Sequence, residues 1–143
     1  MFERDEVQEI TEILITNGPL RATLEYNSKY DMWGYRIVLR TPSGRNVGVY
    51  QFNYPASPTR VALITDFEHI RTYISDMFKL VRADIYETKH VPDPRDLRRE
   101  LQTKFRNIKI NLELTRAILE FLLAENFIRV VKYHPNVEYE YAG

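Results

Sequence analysis

The sequence contains no cysteine, so disulfides, cysteine nucleophiles and thiolate metal sites are excluded. No apolar run approaches the roughly 20 residues needed to span a bilayer. Net charge is absent too: 20 basic side chains balance 20 acidic ones. That balance argues against a protein that coats DNA through many phosphate contacts. The opening stretch MFERDEVQEI is charged and has no apolar core, so no signal peptide is expected and the expected location is cytoplasmic. The three histidines, His69, His90 and His134, show no metal-ligand spacing, and no metal or cofactor is expected. Ser43 and Ser57 sit in turn-like segments without a nucleophile elbow, and Pro42-Ser43-Gly44-Arg45 lacks P-loop spacing and its lysine. No residue argues for catalysis, and the chain is expected not to be an enzyme.

What is present is an ordinary hydrophobic fraction of 44% and a rich supply of aromatics, 10 Tyr, 7 Phe and 1 Trp. A chain of 143 residues with that composition can bury a core as one domain, or as two small ones. Charge is uneven along it. Residues 79–109 carry 9 basic and 5 acidic side chains, whereas the flanking segments are each net acidic.

Residues 4–17 have the apolar period of a helix, closed by Asn17-Gly18-Pro19. Three alternating runs follow, at Leu20–Tyr26, Trp33–Arg40 and Val47–Phe52, separated by polar turns. They predict an antiparallel meander with one apolar face. Val61–Ile64 reads either as a fourth strand or as the lead-in to a helix. Thr65-Asp66-Phe67-Glu68 fits a capping box opening a helix with Phe67, Ile70, Ile74, Met77, Phe78 and Val81 on one side.

The C-terminal third is the best marked. Asp93 and Pro94 suit the N-cap and first turn of a helix, and Leu97, Leu101, Phe105 and Ile108 repeat at its period. Arg95, Arg98, Gln102, Arg106 and Lys109 recur as a second stripe on the same helix, flanked by Arg99 and Lys104. A second, broadly apolar helix runs from Leu112 to Glu125, and Asn126 suits a left-handed C′ position. Alternation in Ile128–Tyr133 and Val137–Tyr141 then predicts a hairpin.

Helix, turn, helix and then AENFIRVV…VEYEY resembles the end of a winged-helix domain over about the last third of the chain. The resemblance implies a helix-turn-helix unit with a β-wing that binds DNA or a protein. The helix in the reading position is net acidic, and the wing carries Glu138 and Glu140, the reverse of the usual sign on a DNA-reading surface. The preceding α-β-β-β-(β)-α order is similar to a double-stranded-RNA-binding domain, without that family's basic cluster at its second helix.

The expected fold is therefore α+β. An N-terminal three- to four-stranded antiparallel sheet flanked by helices spans residues 1–87, and a winged-helix-like unit spans 88–143. The leading functional expectation is a small non-catalytic nucleic-acid-binding or regulatory protein. Arg95, Arg98, Arg99, Arg106 and Lys109 would contact phosphates, with a solvated helix face as the alternative for that stripe. Arg36 and Arg40 would join them on a sheet face shared with Tyr50 and Phe52, a mixture suited to stacking single-stranded bases. The favoured alternative there is that a helix covers the face and the aromatics are core. The second functional expectation is a protein-interaction or assembly subunit. It would use tyrosine-rich strands and an acidic hairpin, forming a homodimer or heteromer through an uncovered row of Val137, Tyr139 and Tyr141.

Overall fold

The computed structural model describes Glu12, Leu14 and residues 18–143. The helix expected over residues 4–17 lies outside the described residues, except that Glu12 and Leu14 are themselves helical. The fold is α+β: strands β1 (Leu20–Asn27), β2 (Met32–Arg40) and β3 (Asn46–Tyr54), then helices α1 (Arg60–Thr88), α2 (Pro94–Lys104) and α3 (Leu112–Ala124), and a hairpin of β4 (Ile128–Lys132) and β5 (Glu138–Tyr141). No described helix is long and apolar enough to cross a membrane. Two compact units divide the chain. One holds the residues up to Arg40 with Gly44–Thr72; the other holds Thr41–Ser43 with Tyr73–Gly143, so the division falls within α1.

In the first unit β1, β2 and β3 form an antiparallel meander in that order. Alternation selects its buried face: Leu20, Ala22 and Leu24 of β1 and Trp33, Tyr35, Ile37 and Leu39 of β2 all face the core. The first half of α1 lies on this face, with Leu63, Phe67 and Ile70 buried and Leu63 O accepting the Tyr35 hydroxyl at 3.1 Å. Val61–Ile64 is thus helix, not a fourth strand. The capping box at Thr65–Glu68 is not the helix start. Thr59 caps α1 instead, its hydroxyl accepting Ala62 N–H at 3.1 Å, which is the local bond a threonine before a helix offers.

In β3 the alternation slips. Ile37 pairs with Tyr50 but Val38 pairs with Gly48, so Val49 is an extra residue in a β-bulge. After that insertion Tyr50, Phe52 and Tyr54 stand on the same side as Ile37, Tyr35 and Trp33. The polar neighbours Gln51 and Asn53 go to the other side, opposite Arg36 and Gly34.

In the second unit Met77, Val81 and Ile85 of α1 are buried, as are Leu97 and Leu101 of α2 and Leu114, Ala117, Ile118, Leu119 and Leu122 of α3. Helix α3 buries most of its circumference because its apolar face is so wide. Its ends follow local chemistry. The Asn111 side chain accepts Leu114 N–H at 2.8 Å at the start. Asn126, at φ +59°, ends it in the left-handed turn expected of it, with Phe127 N–H returning to Leu122 O at 2.9 Å.

Helix α2 begins as its sequence indicates, with Asp93 accepting Arg95 N–H at 2.8 Å and Pro94 in the first turn. It stops at Lys104, however, a full turn before the period of Phe105 and Ile108 suggests. Gln102 explains the stop: its side-chain amide donates to Phe105 O at 3.0 Å and Ile108 O at 2.9 Å, and its carbonyl accepts Ile110 N–H at 2.9 Å. These bonds hold residues 105–110 as a tight loop that buries Ile108 and Ile110 without a helix.

Candidate nucleic-acid interface

Helix α1 takes one face of the meander, and the other face presents the alternate residues of each strand. Its rows follow the register. Thr23, Arg36 and Gln51 lie side by side across the three strands; Arg21, Val38 and Gly48 form the next row, and Glu25, Gly34 and Asn53 the row on the other side. Arg40 pairs with Asn46 at the end of the same face. Arg21, Thr23, Arg36, Arg40, Gln51 and Asn53 are all exposed. Among the described residues no ion pair involves Arg21, Arg36 or Arg40.

The glycines shape this surface. Gly34 gives the middle strand no side chain between Glu25 and Asn53, and a shallow hollow of about 630 Å³ opens there, lined by Thr23, Glu25, Arg36, Gln51 and Asn53 among others. Gly48 leaves room beside the Arg36 guanidinium, whose Nη2 would lie 3.9 Å from a Cβ placed at Gly48. In the β2–β3 turn Gly44, at φ +87°, occupies backbone space that a side-chain-bearing residue rarely adopts. The face thus offers guanidinium, amide and hydroxyl groups on a sheet framework, with Glu25 the one carboxylate in its rows. Arginine and the side-chain amides are the groups that match guanine and adenine edges, and arginine also binds phosphate.

The predicted mixture of arginine and aromatics on one sheet face is overturned. Arg36 and Arg40 lie on the open face, while Tyr50 and Phe52 stand on the helix side, because the bulge at Val49 reverses the phase of β3. The predicted basic stripe is also broken. Arg95 and Arg99 are exposed on α2 and Arg98 is half-buried, but Arg106 and Lys109 lie in the loop beyond the helix. Gln102, which would sit mid-stripe, turns to that loop. Arg99 lies 3.8 Å from Asp96, an exposed pair.

The hairpin departs from expectation in two ways. Tyr139 and Tyr141 are half-buried and only Val137 is exposed, at 43%. Tyr141 packs edge-on to Phe127 at 5.3 Å and Tyr86 at 6.2 Å, and Lys89 Nζ sits 3.8 Å from the Tyr86 ring and 4.7 Å from that of Tyr141. The row is therefore not left uncovered. Nor does the hairpin present bare acid: Arg129 pairs with Glu140, and Lys132 lies 3.9 Å from Glu138.

Sequence reasoning did not assign Arg21, Thr23, Gln51 and Asn53 to a site. The alternation of β1 carried the signal for Arg21 and Thr23. In β3 the one hint was Gly48, next to the bulged Val49, since a glycine inside a strand often marks the kind of bulge that brings Gln51 and Asn53 alongside them.

A second cluster lies on the helix side. Tyr50 and Tyr54 both donate to the same Asp66 oxygen, Tyr50 at 3.4 Å. Burial raises the phenol pKa of Tyr35, Tyr50 and Tyr54 above the usual 10.0, and the Asp66 carboxylate adds to the shift in each. Because their folded pKa values are raised, these phenols contribute stability that is fully present below about pH 10 and is lost as pH rises through the folded values. In a spectrophotometric titration at 295 nm a group of tyrosines is expected to ionise later than the exposed ones, in step with alkaline unfolding. A single unperturbed transition of all ten tyrosines would contradict this.

Among the described residues no cluster of three or more His, Cys, Asp or Glu is placed to hold a metal ion. No protein-family model, curated protein or solved structure matches this chain.

Proposed function

We propose that this is a small non-catalytic nucleic-acid-binding protein whose contact surface is the open face of the β1–β3 meander. The observation that carries the reading is the row structure of that face: Arg21, Arg36 and Arg40, with no ion-pair partner among the described residues, interleaved with Thr23, Gln51 and Asn53. Three exposed guanidiniums that no carboxylate among the described residues neutralises favour an anionic partner. The polar residues between them supply hydrogen bonds to bases or phosphates. The winged-helix-like order of the C-terminal unit supplies less. Most of α3 is buried, and Arg116 on its wet side lies 3.4 Å from Glu113.

The test is fluorescence anisotropy with duplex DNA, single-stranded DNA and RNA at two salt concentrations. Replacing Arg21 and Arg36 together with alanine is expected to weaken binding by about 1–3 kcal/mol for each arginine that contacts a base, and to lower the salt slope by about one for each that contacts a phosphate. Folding stability should move by no more than about 0.5 kcal/mol, as for other exposed positions. The matched Arg98→Ala, Arg106→Ala protein is expected to bind nearly as wild type. Loss of binding in that second protein, with the first unaffected, would return the interface to α2 and its loop.

The assembly reading keeps one specific support. Val131, Tyr133 and Val137 around the β4–β5 turn are 52%, 68% and 43% exposed, an apolar group suited to a protein contact. Binding to none of the three nucleic acids would favour it.

A further inference from the structure

Beside β3, on the face opposite the proposed nucleic-acid contact, Tyr50, Phe52 and Tyr54 stand at alternate positions and meet α1 at Ala62, Thr65 and Asp66. Together they border an open, shallow hollow of about 410 Å³ with aromatic walls and one carboxylate. Phe52 and Tyr54 meet edge to face at 4.7 Å, and Phe52 is 47% exposed although its strand neighbour Tyr35 is fully buried. Among the described residues no lysine or arginine lines the hollow, and Asp66 forms no ion pair.

We infer that this hollow is a cation site that receives a lysine side chain from an extended basic segment of a partner protein. An ammonium group is drawn to the faces of aromatic rings, and more strongly when they also remove it from water. The Asp66 carboxylate supplies the counter-charge. Both phenols donate to its Oδ2, which leaves Oδ1 to accept an N–H from the ligand. The partner's form follows from the strand. β3 is an edge strand, and its outer side pairs with no strand among the described residues. An extended segment laid along that edge gains main-chain hydrogen bonds and directs alternate side chains toward the hollow. The aromatic walls accommodate the lysine methylenes while the carboxylate meets the head group.

The test titrates the full chain with a short peptide carrying one central lysine, with the same peptide carrying norleucine, and with n-butylammonium. Binding is read from ring resonances by NMR and from calorimetry. The lysine peptide is expected to bind saturably and to shift the resonances of Tyr50, Phe52 and Tyr54, and the norleucine peptide to bind at least tenfold more weakly. Phe52→Ala and Asp66→Asn should each weaken the lysine peptide at least tenfold. Phe52 is exposed, so its removal reports on the site even if Asp66→Asn disturbs folding. Equal affinity for the norleucine peptide, or an unchanged affinity in Phe52→Ala, would overturn the site. Butylammonium binding as tightly as the peptide would overturn the extended partner. Arg21→Ala with Arg36→Ala should leave peptide binding intact, so failure of the nucleic-acid reading would not be mistaken for failure of this one.

Discussion

Ile118→Ala is expected to destabilise the protein by about 2–5 kcal/mol, the range for removing a large aliphatic side chain from a packed core. Ile118 is 0% exposed on α3, and its neighbours along that helix, Leu114, Ala117 and Leu122, are 0% exposed as well. A cavity there is lined by side chains already held in place by the helix, so collapse can recover little of the lost contact. Total stability for a domain of this size is about 5–15 kcal/mol, so the loss would be a large share of it. Urea unfolding should show a lower midpoint with an unchanged slope. Phe121→Ala is the informative comparison. Phe121 is half-buried and meets Phe78 edge-on at 5.4 Å, so its truncation leaves a site open to water and should cost less than a full Phe-to-Ala core deletion. A shift below about 1 kcal/mol for Ile118→Ala would mean that α3 is not packed as described.

The same helix shows why parts of this fold were legible in the sequence. A broad apolar circumference between Asn111 and Asn126 requires packing on several sides, and both asparagines perform the local roles their side chains favour. The strands β1 and β2 were equally readable, because a period of two and one buried face leave a single phase. β3 was not. Its sequence alternates just as cleanly through Val47, Val49 and Gln51, but one bulged residue inverts everything after it. A bulge arises from pairing with β2, and Gly48 beside Val49 marks a place where one is tolerated without fixing that it occurs.

That single inversion also governs how much of the site could be read. Without it, Tyr50 and Phe52 would share the open face with Arg36 and suggest a stacking platform for single strands. With it, the aromatics face α1 and the amides of Gln51 and Asn53 join the arginines. The rows of the open face then carry guanidinium, hydroxyl and amide groups in place of Tyr50 and Phe52. The α1 start failed for a different reason: Thr59 and Thr65 both precede helix-compatible runs, and the apolar positions Leu63, Phe67 and Ile70 extend the buried face back past Thr65. Tertiary burial chose the earlier cap.

Gln102→Ala is expected to cost about 2–4 kcal/mol, a large effect for a half-buried polar residue. Its side chain makes three bonds to backbone, to Phe105 O, Ile108 O and Ile110 N–H, at 3.0, 2.9 and 2.9 Å. Each contributes about 0.5–1.5 kcal/mol net, and alanine would leave all three backbone groups unpaired. Ile108 and Ile110 are 6% and 1% exposed, which limits the water able to replace the lost partners. Gln102→Glu separates the two halves of the network. The carboxylate can still accept Ile110 N–H but offers no donor to the two carbonyls, so it should recover only part of the loss. Hydrogen exchange should show the Ile110 amide losing protection in the alanine protein before the Leu114 amide, which has its own acceptor in Asn111. A stability change under about 0.5 kcal/mol, as at a wet surface position, would instead support a continuous helix with Gln102 on its basic stripe, and with it the original grouping of Arg98, Arg106 and Lys109 on one face.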